Sequence, residues 1–360
     1  MIVADLLAEL VAFPTQQAGP DRGAGDELAL CEYLAPLLRA AGADKVIVEI
    51  ATRSDGSPGA YVFARWGQPR RLINVHLDTV PANAGWSRDP WTPYVADGRL
   101  YGLGSADTKG AIAATLVAVD ATKPRDFGVV FSGDEERGSS VIRAFLAGPN
   151  AAAIREVIVC EPTARTAGVA HRGVLGQQAR LTGPGGHSSK ADHLPKPLAR
   201  LARLAAALDD AGVRRRAEGT PNMQGTCLNI AALHGGVAFN VISARAELEW
   251  SLRPYPGFDR AGWDREVAEL AAAIDPQITI ETTVDHVPFS CDAMADHVRK
   301  FVRSVGTLDF WTEAALWAQH GKDAIVIGPG DIAQAHAADE YVTLDDLDWA
   351  VGLFRSLVRH

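Results

Sequence analysis

Apolar residues in the opening stretch "MIVADLLAELVAF" recur at helical spacing with Asp5 and Glu9 between them, which predicts a helix over about 2–13. A second helical period covers about 24–42. Uninterrupted apolar runs then predict strands at 46–50, 60–65 and 72–76. After a loop rich in Trp, Pro and Gly, the stretch "TKGAIAATLVAV" predicts a helix beginning near Thr108. The strand "FGVVFSG", a helix near 139–147 and the strands "EVIVCEP" and "AGVAHRG" follow. Helices alternating with buried strands predict an α/β fold whose central sheet is flanked by helices.

Near residue 175 the pattern changes. "VLGQQARLTG" alternates like a half-exposed strand, and "LPKPLARLARLAAALDDAG" reads as a helix. The strands "TCLNIAALHGG" and "ARAELEWSLRP", a helix at about 260–274 and the strand "QITIETTV" complete the order β-α-β-β-α-β. That order is the ferredoxin-like split βαβ unit. The reading is an inserted domain at 175–285, with residues 1–174 and 286–360 forming one domain around it.

A chain of 360 residues is long enough for two cores, which fits that division. A net charge of −9 leaves no basic footprint for nucleic acid or an anionic membrane. No run approaches the ~18 apolar residues of a membrane span. The acidic residues inside the opening apolar stretch argue against a signal peptide. Cys31, Cys160, Cys227 and Cys291 lie far apart and form no CxxC pair. Reduced thiols in a cytoplasmic protein are therefore expected, without a thiolate zinc site or disulfide framework. Any metal has to be held by His and carboxylates.

Candidates for that task stand at or just after the predicted strands, where open α/β sheets place their ligands. "LINVHLDTVP" ends its strand on His76 and Asp78, two positions apart, so that both meet one ligand or one orients the other. "YGLGSADTKG" sets Asp107 before a helix, which alone reads equally as a helix cap. A dinucleotide loop fits poorly, because Asp107 replaces the third glycine and no clear strand leads into the turn. "FSGDEERG" places Glu135 and Glu136 side by side, diverging in direction, as in a solvated loop or a cation site. "VIVCEPT" puts Glu161 close to the core, where a carboxylate is costly unless paired or turned to solvent. "IVIGPGDIAQAHAADE" presents His336 after another strand and a Gly-Pro-Gly turn. Jointly, imidazoles and carboxylates at several strand ends, without thiols, suit two divalent ions such as zinc joined by a shared carboxylate.

In order, "HLDTVP", "GLGSADTKG", "DEE", "CEPT" and "GPGDIAQAH" resemble the dizinc amidohydrolases, which include acetylornithine deacetylase, succinyl-diaminopimelate desuccinylase, aminoacylases and carboxypeptidase G. The stretch "DFWTEAALW" followed by "GPGDIAQAHAADE" is similar to the acetylornithine and N-acetylcitrulline deacetylase branch, which serves arginine biosynthesis. The resemblance implies a zinc-peptidase-like catalytic domain and an inserted lid or dimerisation domain, hence a homodimer. It implies that Asp107 bridges two ions, Zn2+ or alternatively Co2+, with His76 and Glu161 completing one and Glu136 and His336 the other. Asp78 would hydrogen-bond and aim His76. Glu135 would be the general base for hydroxide formed at the ions, which attacks the acyl carbonyl of an N-acyl amino acid. A non-proline cis bond is expected between Asp107 and Thr108. In the inserted domain, His187 of "GGHSS" matches an oxyanion-stabilising histidine, while Asn240 of "FNVIS" and Arg253 of "SLRP" match substrate contacts. Glu313, in "WTEA", either pairs with a substrate ammonium or favours a helix first turn. The early loop "FPTQQAGPDRGAG" follows the family pattern only loosely, and Ser243 stands where the family often has Pro.

Overall fold

The computed structural model describes residues 1–16 and 25–359, so residues 17–24 of the early loop lie outside the described residues. The chain divides into two compact units. One comprises residues up to Val169, Cys291–Leu308 and those from Thr312 onward; the other comprises Ala170–Ser290 with Asp309–Trp311. The sequence pattern places these limits at 175 and 285. The difference arises because the strand Thr166–His171 runs on into the second unit, where His171 and Ala170 pair with Phe289 and Ser290.

In the first unit the strands Lys45–Thr52, Pro58–Trp66, Phe127–Ser132, Arg71–His76, Glu156–Val159, Asp323–Val326 and Thr166–His171 lie side by side in that order. Phe127–Ser132, Arg71–His76, Glu156–Val159 and Asp323–Val326 are mutually parallel, and the two preceding strands join them antiparallel. The sheet is thus mixed. Period-two alternation sorts its side chains between two covered faces. Ala60, Val62, Ala64 and Trp66 belong to the same core as buried residues of Val3–Val11, Gly110–Thr122 and Leu344–Leu357. Tyr61 and Phe63 point the other way, against Phe145 of Ser140–Ala147, which also meets Trp317 of Ala314–Gln319. Cover on both faces explains why the central strands read as continuous apolar runs. The helix Gly110–Thr122 is buried along its whole first ten residues, as its all-round apolar sequence requires.

The helix foreseen near Thr108 begins at Gly110, preceded by a tight turn over Ser105–Lys109. A short strand, Arg99–Tyr101, does lead toward that turn. It escapes the apolar pattern because its three residues pair only within a small sheet with Tyr94–Ala96 and Tyr341–Thr343.

In the second unit, Asn229–Gly235, Arg245–Leu252, Val174–Thr182 and Thr279–His286 form a four-stranded antiparallel sheet in that order. Helices Pro197–Arg214 and Arg260–Ile274 pack on it through Leu201, Leu204, Leu208, Trp263 and Val267. The topology is that of the ferredoxin-like unit. Trp263 buries its ring and donates its Nε1–H to Gln177 Oε1 at 2.8 Å, so no polar atom of the indole is stranded. Among the described residues no helix is long and apolar enough to cross a membrane.

Candidate metal centre

The C-terminal ends of the four parallel strands bring His76, Glu136, Glu161 and His336 to one place, and Asp107 joins them from the turn after Arg99–Tyr101. Arg71–His76 ends on His76 itself, which is buried. Its Nδ1–H donates to the main-chain carbonyl of Asp78 at 2.9 Å. That bond fixes the tautomer and leaves Nε2 facing Asp107 Oδ1 at 2.9 Å and Glu161 Oε2 at 3.9 Å. The other oxygen of Asp107 lies 3.4 Å from His336 Nε2, which also stands 3.0 Å from Glu136 Oε1. One ligand atom each from His76, Asp107 and Glu136 lie within 4.8 Å of one another.

The resemblance implies that the Asp78 carboxylate hydrogen-bonds His76, but it stands 3.7 Å from Nδ1, beyond hydrogen-bond length. The strand stops at His76, so the same-face rule for i and i+2 no longer governs Asp78. Its two oxygens instead accept the backbone N–H groups of Glu135 and Glu136, each at 3.1 Å. Asp78 therefore aims the His76 ring through its backbone and the two-glutamate turn through its side chain. Behind the same turn, Arg53 is ion-paired with Glu27 and lies 3.6 Å from Asp134.

Asp107 sits in the turn that follows Gly104, and its bond to Thr108 is cis, as the family resemblance implies. Glu340, to which no motif pointed, holds this turn. Its carboxylate accepts the N–H groups of Gly104 at 3.0 Å, Ala106 at 2.9 Å and Asp107 at 3.0 Å. The only trace in the sequence is an acid four residues after His336. Asn74 was missed too, though a polar residue inside "LINVH" is a visible irregularity. It links Trp317 Nε1, at 2.6 Å, to Ser132 Oγ, at 3.3 Å. Ser132 donates in turn to Glu313 at 3.3 Å. Glu313 is only 1% exposed, and its other oxygen, Oε1, has no hydrogen-bond partner among the described residues. It stands at the N-cap of the helix Ala314–Gln319, one position before the first turn in which the sequence placed it. Two loops are stitched together beside Glu161: Ala164 N–H donates to the Gly330 carbonyl at 2.8 Å, and Thr163 faces Asp331 in a bridge.

The electrostatics of this cluster are unbalanced. Burial pushes the carboxyls of Glu135, Glu136 and Glu161 above their ordinary range, and neighbouring carboxylates add to it. Burial works against charge on Asp107 as well, yet His336 and His76 hold it well below that range. Hydrogen bonds to Asp107 and Glu136 push His336 up to about 10. His76 is likewise held well above its usual value, burial being outweighed by Asp107, Glu161 and Asp78. Four carboxylates facing two imidazoles lack positive charge, and all the facing atoms are hard or borderline N and O donors. The set fits divalent cations, with one carboxylate turned to both imidazoles.

In the second unit, His187 is exposed and its Nδ1 lies 2.9 Å from Ser189 Oγ. Its short strand pairs with Val241–Ile242, which brings it beside Asn240, whose carbonyl accepts Ser188 N–H at 2.9 Å. Arg253 is exposed at the end of Arg245–Leu252.

Residues 72–360 match peptidase family M20/M25/M40. The chain is 36% identical over 356 residues to N-acetyl-L-citrulline deacetylase of Xanthomonas campestris pv. campestris, covering 95% of this chain and 93% of that protein. It is 31% identical over 312 residues to acetylornithine deacetylase of Edwardsiella ictaluri, covering 80% and 79%. An M20 family metallo-carboxypeptidase from Sulfolobus solfataricus, of known structure, superposes with a TM-score of 0.78 at 17% identity, covering 99% of this chain and 98% of that one. The chain belongs to peptidase family M20/M25/M40 and is a metal-dependent amidohydrolase.

Proposed function

We propose that this chain removes the acetyl group from an Nα-acetyl amino acid, N-acetylcitrulline before N-acetylornithine, by hydrolysis of a linear amide. The observation that carries the reading is the orientation of Asp107, one oxygen toward His76 and the other toward His336. In it, Asp107 is the shared ligand of two divalent cations, His76 and Glu161 complete one, and Glu136 and His336 complete the other. Zinc suits these donors, and cobalt is the alternative. Bound there, the cations would polarise the amide carbonyl and bring the pKa of a water down toward ~7.

The protein's own part is proton transfer and positioning. Glu135 is the general base: its carboxylate, pushed up by burial and by Glu161, takes a proton from the attacking water and returns it to the departing amine. Its neighbour points toward His336 instead, because Asp78 fixes the two backbone amides in sequence. His187 is proposed to steady the oxyanion and Asn240 to contact substrate. Arg253, exposed, offers a planar fork to the α-carboxylate. The neutral ureido substrate is placed first on the 36% identity to an N-acetyl-L-citrulline deacetylase, against 31% to an acetylornithine deacetylase. Val237 and Phe239, 87% and 100% exposed beside Asn240, support pairing of two copies through the second unit.

Amine release from N-acetylcitrulline, N-acetylornithine and N-succinyl-diaminopimelate at matched concentration tests the reading. The expected order puts N-acetylcitrulline first. Preference for the succinylated compound refutes it.

A further inference from the structure

At the end of the first unit's sheet remote from the metal ligands, each parallel strand opens on a cation. Lys322 precedes Asp323–Val326, Arg155 precedes Glu156–Val159, Arg70 precedes Arg71–His76, and Arg125 stands just before Phe127–Ser132. The register aligns Arg71 with both Phe127 and Glu156, and Glu156 with Asp323, so these cations stand level across the sheet. Arg70, Arg71, Arg125, Arg155 and Arg359 line one cleft of about 350 Å³.

Two carboxylates also line it, and both are engaged. Glu156 accepts from Arg71 Nε at 2.6 Å, and Asp126 accepts the Gln68 amide at 2.7 Å. Arg71 spends a further donor on the Leu357 carbonyl at 3.2 Å. Arg70, Arg125 and Arg359 are exposed, and among the described residues no hydrogen bond or ion pair engages their guanidinium groups. Arg155 makes a single 3.4 Å contact to the Ala152 carbonyl. Burial, with the approach of Arg155, holds Lys322 below the usual ammonium range. Such a concentration of uncompensated positive charge is out of keeping with a chain of net charge −9.

We propose that this cleft binds a small soluble anion carrying two phosphate groups. Guanidinium forks match phosphate oxygens in pairs. The strands headed by Arg125 and Arg155 are separated by two interstrand spacings, about 10 Å, which is wider than one phosphate. The cleft volume is that of a small-ligand site. The strongly acidic chain would be repelled by an anionic bilayer, which favours a free anion over a lipid headgroup.

The test is calorimetric titration of the metal-loaded full chain with fructose 1,6-bisphosphate, alongside fructose 6-phosphate. Saturable binding of one bisphosphate is expected, with the monophosphate about tenfold weaker or more. The double variant R70A/R125A, outside the catalytic machinery, should lose about tenfold or more in bisphosphate affinity while kcat/KM for deacetylation stays unchanged. R155A provides a second, independent loss. Absence of saturable binding overturns the proposal, as does equal affinity for the two sugars. Undiminished affinity in both variants places the anion elsewhere and overturns it too. Sedimentation with phosphatidylglycerol vesicles that R70A/R125A abolishes would assign the cleft to a headgroup instead.

Discussion

Glu135 and Glu136 are adjacent in sequence and are proposed to do different tasks, and Asp78 holds their turn, its two oxygens accepting one backbone amide each. If Glu135 only moves protons, Glu135→Gln should leave metal content unchanged and lower kcat by about 10²–10⁴. Metal analysis and steady-state kinetics on one preparation check this; near-normal turnover rules out the base assignment. Glu340 acts one step further from the chemistry. Removing its carboxylate strands three buried amide donors around Asp107, so Glu340→Ala should weaken metal binding by about 10–100-fold. Glu340→Gln keeps a carbonyl acceptor and should recover part of that affinity in a metal titration. Unchanged metal affinity in the alanine variant would show that the turn holds its shape without this carboxylate. His76 could be picked from the sequence because it closes an apolar run, Glu136 and His336 because each stands in turn residues after one, and Asp107 because it sits in a Gly-rich turn before a helix. Glu340 could not, since its role depends on a short strand, Tyr341–Thr343, bringing it back across the chain to a turn more than 200 residues earlier.

Among the elements, the parallel strands were the most legible. Their apolar runs are continuous because helices cover both faces, and the strand Phe127–Ser132 lies within the expected run "FGVVFSG". Turns set by local hydrogen bonds were less so. The helix start expected near Thr108 falls inside the turn Ser105–Lys109, because "TKGAIAATLVAV" has no break in composition. In fact Gly110 starts the helix where there is no room for a side chain: a Cβ there would meet the Ser105 carbonyl oxygen at 2.5 Å and Leu347 at 3.2 Å. Since the oxygen belongs to the backbone, the helix and turn cannot both relax, and Gly110→Ala should cost about 1–3 kcal/mol. Denaturant midpoints measure it; an unchanged midpoint would mean that the turn and the helix Leu344–Leu357 yield more easily than their packing implies.

At the scale of the whole molecule, two units with separate cores were visible in the switch from buried to half-exposed strands near residue 175. Their limits were less so, because Thr166–His171 passes from one to the other without a change in period. The thiols test how the cores are distributed. Cys31 and Cys160 are buried, and burial pushes both well above the ordinary thiol range, whereas Cys227 is exposed. The native chain should therefore react rapidly with a thiol reagent at Cys227, and Cys227→Ser should remove the fast phase. Rapid modification of all four would indicate a looser molecule. Metal removal tests the electrostatics. Four crowded carboxylates lose their counter-ions, so a chelator should lower the unfolding temperature, by an amount corresponding to about 2.7 kcal/mol where metal had stood at 100 times its Kd.

Metal content and turnover, followed together through chelation and reconstitution, test the central claim most directly. About two divalent ions per active chain are expected, with amine release lost on chelation and restored by zinc or cobalt. A chain stripped of metal that still turns over at its original rate would contradict the account.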